Sequence, residues 1–136
     1  MAYILFADDD EVLAEMVRAR LAARGHEVRT AEDGEDVLRE VRRRQPDAIL
    51  LDAAIPVRSG MATLGLLKGD PRHCRIPVIM MTSRRSQEQV LAALRAGASD
   101  YMTKPFSPED LVLRLEGLLA RKRFAAELIG APRSLH

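Results

Sequence analysis

Residues 48–60, AILLDAAIPVRSG, decide the fold. Ala48–Leu51 form an unalternating apolar run that ends in one carboxylate, Asp52, and the segment is then broken at Pro56 and again at Ser59 and Gly60. A run this short and bounded by breakers predicts a strand buried on both faces rather than a helix. Asp52 then falls at the C-terminal end of that strand. In an open parallel α/β sheet this is the edge where the connecting loops part and ligands collect.

The segments on either side repeat the pattern. Tyr3–Ala7 (YILFA) is another buried run, ending in Asp8, Asp9 and Asp10. From Val12 to Arg24 apolar residues recur at helical spacing, with Asp10 and Glu11 suited to the positive N-terminal end and Gly25 as the stop. His26–Thr30 is a weaker strand; Asp33 and Asp36 open a helix carrying Val37, Leu38 and Val41, which ends at Gln45 and Pro46. After the central strand comes a helix over Gly60–Lys68, interrupted by Gly65. Pro77–Met81 is a fourth buried strand, followed by Thr82 and Ser83. Ser86 with Gln89 resembles a capping box, opening a helix that runs to Ala96 and stops at Gly97. Asp100–Thr103 is a short fifth strand, ending at Lys104 and Pro105. Ser107, Pro108 and Asp110 supply a cap, a first-turn proline and an acid for a last helix with Leu111, Leu115 and Leu118 on one stripe. Five strands alternating with five helices predict a parallel sheet covered by helices on both faces, a three-layer α/β/α architecture.

Composition excludes several classes. A chain of 136 residues, 47% apolar and 30% charged, reads as about one soluble domain. Lys and Arg number 21 against 20 Asp and Glu, and the resulting +1 argues against nonspecific nucleic-acid or membrane binding by this chain. The single cysteine, Cys74, excludes an internal disulfide and a multi-thiolate zinc site. No apolar run approaches the roughly 18 residues of a membrane span, and residues 1–7 lack a basic leader, so a cytoplasmic setting is expected.

Asp8, Asp9, Asp52, Thr82 and Lys104 all directly follow or end predicted strands, which places them at one edge. Singly, each has a local explanation: the acids as helix caps, Thr82 as a turn cap, Lys104 as a solvated charge. Together they demand more. Two carboxylates about 4 Å apart repel by about 4 kcal/mol at an effective dielectric of about 20, so three of them call for a cation or a proton. Oxygen-only ligands with room for water suit Mg²⁺. A metal beside a carboxylate, an amine and a hydroxyl is equipment for handling a phosphoryl group, with Asp52 the natural nucleophile.

Four motifs, ILFADDDEV, ILLDAAIPVRSG, VIMMTS and DYMTKPF, occur in that order on the predicted strands. They resemble the receiver domain of bacterial two-component response regulators over about residues 3–120. The resemblance implies a flavodoxin-like (βα)5 fold, doubly wound around a five-stranded parallel sheet. It implies that Asp52 is the phosphoacceptor, and that Asp8 and Asp9 are the metal-binding acids, with Asp52 and the main-chain carbonyl of Ala54 completing the Mg²⁺ sphere. Thr82 and Lys104 would contact the phosphoryl group, Tyr101 would be an aromatic switch, and the Lys104–Pro105 bond would be cis. The implied partners are a sensor histidine kinase or phosphotransfer protein, an effector domain or downstream protein, and at most a weak homodimer on phosphorylation through the fourth helix, fifth strand and last helix. Asp100, Asp110 and Arg114 form part of the charged set used there. By the same resemblance the chain is a self-phosphorylating and self-dephosphorylating signalling domain rather than a turnover enzyme.

The chain departs from the family pattern at several positions. Ala53 and Ala54 stand where bulky apolar residues are usual, Ser59 where an Asp is usual, and Val90 where a basic residue is usual. Ala54 and Arg84 occupy the two positions that tune phosphoryl lifetime in the family.

Two rivals weigh against this reading. A haloacid-dehalogenase-type phosphatase would use the Asp8–Asp10 D-x-D pair, but Asp52 is then unexplained and Glu109 and Asp110 fall in a helix start. A purely structural or nucleotide-binding flavodoxin-like module lacks its glycine-rich loop after the first strand. Residues 1–120 are read as the receiver and 121–136 as an extension of the last helix or a linker toward an effector domain. Leu111, Leu115, Leu118, Lys122, Ala125 and Ile129 have coiled-coil spacing, but the expectation is that the three leucines pack and the remainder frays.

Overall fold

The computed structural model describes residues 1–83 and 86–130, with the side chains of 129 and 130 outside that description. The elements alternate as β1 Tyr3–Ala7, α1 Glu11–Ala23, β2 Glu27–Ala31, α2 Gly34–Arg43, β3 Ala48–Asp52, α3 Gly60–Lys68, β4 Val78–Thr82, α4 Gln87–Arg95, β5 Asp100–Thr103 and α5 Pro108–Ala125. All pairings are parallel, in the order β2-β1-β3-β4-β5. The winding therefore reverses between β1 and β3, and the crevice of such a sheet opens at that junction.

Strand residues divide by parity between two cores. Ile4, Phe6, Ala48, Leu50, Ile79, Met81 and Met102 pack with Val17 and Leu21 of α1 and Leu111 and Leu115 of α5. Leu5, Ala7, Ile49, Leu51, Val78 and Met80 pack with Val37 and Val41 of α2, Leu64 and Leu67 of α3 and Ala93 of α4. Burial on both faces is why β1, β3 and β4 read as continuous apolar runs. Each such side chain contributes about 1.5–3 kcal/mol relative to exposure. The weaker second strand is an edge, and its outward Glu27 and Arg29 protect that edge from further pairing.

The helix starts follow local chemistry. Asp10 accepts from Leu13 N, Asp33 from Asp36 N, Ser86 from Gln89 N, and Ser107 from both Glu109 N and Asp110 N. Ser59, read above as a departure, is the N-cap of α3, accepting from Ala62 N at 3.1 Å. β2 and β4 each begin one residue later than expected, because Glu27 pairs with Tyr3 and Pro77 has no N–H for the ladder. Consequently Thr82 is the last residue of β4 and pairs with Thr103.

The last helix does not fray after Leu118. It continues to Ala125 and into a π-helical turn over Ala126–Gly130, since no Gly or Pro interrupts residues 119–129 and Ala, Arg and Lys favour helix. Arg84, the side chain of Ile129 and residues 131–136 lie outside the described residues. Among those described, no helix is long and apolar enough to cross a membrane.

Candidate functional site

The alternation that builds the α1/α5 core also aims the polar residues. Phe6 is followed two residues on by Asp8, Leu50 by Asp52 and Met102 by Lys104, so the three share one face at the C-terminal edge. Asp8 and Asp52 are nearly buried, at 3% and 6% exposure. Asp8, Asp9 and Asp52 each offer a carboxylate oxygen within 4.8 Å of the others. The Lys104 ammonium stands 2.5 Å from Asp8 Oδ2 and 3.6 Å from Asp52 Oδ1. Asp8 also accepts from Asp10 N at 3.0 Å, and Asp52 from Ala54 N at 3.3 Å.

Burial, and then the negative charge of Asp8, push the Asp52 carboxyl above its ordinary range; Lys104 and the Ala54 amide pull it back, and Asp9 adds to the rise. The site is thus short of positive charge, with one ammonium among three carboxylates. The donors are all oxygens, which suits a hard divalent cation of the Mg²⁺ type.

Asp10 does not join this cluster, because its carboxylate caps α1 at Leu13 N, 3.0 Å away. A phosphatase using Asp8 and Asp10 as a D-x-D pair would lose its second acid to that cap. The dehalogenase reading is therefore unsupported.

Thr82 and Tyr101 have the opposite parity and face the α2–α4 side. They line a cavity of about 290 Å³ together with Ala53, Ala54, Gln89 and Ala92. Asp52 pairs in register with Met81, which puts Thr82 one residue beyond that pairing and beside the cluster. Tyr101 is half-buried against the α2–α4 core. The Lys104–Pro105 peptide bond is cis.

Two further positions shape the site, Gly60 at the expected start of α3 and Val57 in the loop before it. At Gly60 a Cβ would stand 2.5 Å from the Asp52 carbonyl oxygen and 2.6 Å from Ala53 Cα, so the start of α3 rests directly on the end of β3. Its N–H donates to Ala53 O at 2.9 Å. Val57 has φ 68 while Arg58 N donates to Pro56 O at 2.8 Å, a γ-turn of the strained hand centred on a β-branched residue. No sequence signal announces it, since valine is a poor choice there.

The family described as response regulator receiver domain matches residues 4–116. The chain belongs to that family. Receiver domains are signalling modules of two-component systems. The chain is 39% identical over 118 residues to the phosphate regulon transcriptional regulatory protein PhoB of Pseudomonas aeruginosa, an alignment covering 87% of this chain and 52% of PhoB. It is 37% identical over 128 residues to the transcriptional regulatory protein KdpE of Mycobacterium tuberculosis, covering 94% of this chain and 55% of KdpE. The receiver domain of the Francisella response regulator 1452 superposes with a TM-score of 0.84 at 30% identity, covering 90% of this chain and 99% of that one. This receiver spans about half the length of the curated relatives it matches.

Proposed function

We propose that this receiver domain accepts a phosphoryl group on Asp52 from a phosphohistidine of a sensor histidine kinase or phosphotransfer protein. The observation that carries the reading is the near-buried Asp52 carboxylate, set among Asp8, Asp9 and the Lys104 ammonium. A carboxylate oxygen of Asp52 bonds to phosphorus while the phosphorus–nitrogen bond of the donor breaks, its electron pair returning to the imidazole. The product is an acyl phosphate. Lys104 neutralises charge on the phosphoryl oxygens and the Thr82 hydroxyl donates to one of them. Asp8, Asp9, Asp52 and the Ala54 carbonyl would hold Mg²⁺. When bound, the ion supplies the positive charge that offsets the carboxylates and the incoming phosphoryl oxygens.

The cavity beside Thr82 supports a switch in which Tyr101 turns inward once Thr82 is drawn to the phosphoryl group. That change reads out on α4, β5 and α5, where an effector domain, a downstream protein or a second copy engages. Residues 1–120 constitute the receiver and 121–136 lead toward an effector domain, in a cytoplasmic protein. Intact mass after incubation with acetyl phosphate and Mg²⁺ tests the reading. One phosphoryl adduct is expected, absent with chelator and absent in Asp52→Asn; uptake surviving either change refutes it.

A further inference from the structure

At the sheet edge remote from Asp52, where β4 and β5 begin and α3 and α5 end, Lys68, Arg75, Arg121 and Lys122 line a depression of about 460 Å³ with Ser99 and Pro77. No carboxylate is among its lining residues. Among the described residues, none of these four cations has an ion pair, whereas most of the described arginines do. Acids near these residues in the chain have partners of their own: Asp70 pairs with Arg72 and His73, Asp100 with Arg114, and the Asp47 carboxylate accepts from Tyr3 N at 2.7 Å.

Lys68 is the fixed point. Its ammonium donates to Cys74 O at 3.0 Å and Ile76 O at 2.7 Å, which leaves one N–H, and its stem lies under Gly97, where a Cβ would meet Lys68 Cγ at 2.9 Å. Burial pushes this ammonium below its ordinary range, as happens to a cation without a counter-ion. Ser99 Oγ accepts from Val78 N at 3.4 Å, so its hydroxyl proton is left to donate. The C-terminal end of α3 disfavours an anion, and the Lys68 ammonium answers it by capping the carbonyls beyond that helix.

We propose that this depression binds a compact, multiply charged phosphate anion, an oligophosphate, independently of the Asp52 site. Two guanidinium forks match tetrahedral oxyanions in pairs of N–H bonds, while the lysines act as point charges and Ser99 as a neutral donor. The chain is close to neutral overall, so this is a local site and not a diffuse basic surface.

The test is calorimetric titration of the metal-free protein with inorganic tripolyphosphate, repeated on Arg75→Glu/Arg121→Glu and on the milder Arg75→Gln/Arg121→Gln. Both arginines are exposed, and an unchanged unfolding midpoint verifies the variants. Saturable one-to-one binding is expected, weakened about tenfold or more in the charge-reversed variant and by rising salt. Amide shifts are expected at Gly97, Ser99 and Cys74. A parallel titration with ATP separates a nucleotide from a free phosphate chain as the source. No saturable binding, binding indifferent to both variants, shifts confined to Asp8, Asp9 and Asp52, or tighter binding of duplex DNA or an acidic peptide than of tripolyphosphate would each overturn the proposal.

Discussion

Lys104 is closer to Asp8 than to Asp52, 2.5 Å against 3.6 Å, so in the unmodified chain it serves first as the counter-ion of Asp8. Asp8 is the more deeply buried of the pair, with a side chain only 1% exposed against 22% for the lysine. Removing the lysine strands a buried carboxylate beside two others. Lys104→Met is expected to lower stability by about 1–3 kcal/mol at neutral pH without metal, and Mg²⁺ is expected to restore part of the loss. Urea unfolding with and without Mg²⁺ measures both effects; a variant as stable as the parent in chelator shows that the cluster does not need this cation.

Asp52 itself opposes folding in the metal-free chain. Its carboxyl is raised above the ordinary 3.8 by burial and by Asp8, so the folded state binds the proton more readily than the unfolded one. For such a group the stabilising contribution is complete below the unfolded value and is lost as pH rises through the folded one. Asp52→Asn is therefore expected to raise stability by about 1 kcal/mol at neutral pH, with the gap to the parent closing as pH falls. Mg²⁺ is expected to reverse the order: at about a hundred times its Kd a ligand of the native state adds about 2.7 kcal/mol, and the variant lacks one of the carboxylates. Thermal melts across pH, with chelator and with Mg²⁺, decide it. A gap that widens on acidification counts against the assignment.

The γ-turn at Val57 offers a test away from the carboxylates. Its side chain is 78% exposed, so little packing is lost on replacement, while φ 68 is a conformation that β-branched residues resist. Val57→Asn is expected to stabilise by about 1 kcal/mol, because asparagine adopts positive φ more readily than a β-branched residue does. An unfolding midpoint that is unchanged or lower would show that the turn relaxes without cost.

How far the sequence carries depends on whether a feature is local. Strands buried on both faces announce themselves as unbroken apolar runs, and Asp33, Ser86 and Ser107 betray helix starts because a cap is made within three residues. Strand parity then carries Asp8, Asp52 and Lys104 to one edge with no knowledge of distance. Contacts between segments are silent: nothing in residues 48–60 says that Gly60 must lie against the Asp52 carbonyl, or that Ser59 is a cap and not a substituted site residue. The helix beyond Leu118 was legible in its propensity. Where that helix stops is not legible, because it runs past the last residues that pack on the sheet.

The last prediction concerns association. Arg114 is already engaged within one chain, its Nη1 3.1 Å from Asp100 Oδ2 and its Nε 3.2 Å from Asp110 Oδ2. A second copy that met this surface through the same residues would exchange intramolecular pairs for intermolecular ones of the same kind. Exposed pairs contribute only about 0–1 kcal/mol each, so the exchange gains little. Val90 on α4 adds no charge of its own. The unmodified receiver is therefore expected to be a monomer and the beryllofluoride-activated one at most a weak dimer, its association lowered several-fold in Arg114→Ala. Loss of the internal pairs is expected to change the stability of that variant by less than about 1 kcal/mol, so weaker association would not reflect unfolding. Sedimentation with and without beryllofluoride, on parent and variant, checks this; a tight dimer in both states, or a dimer indifferent to Arg114, would place the interface on another face of the sheet.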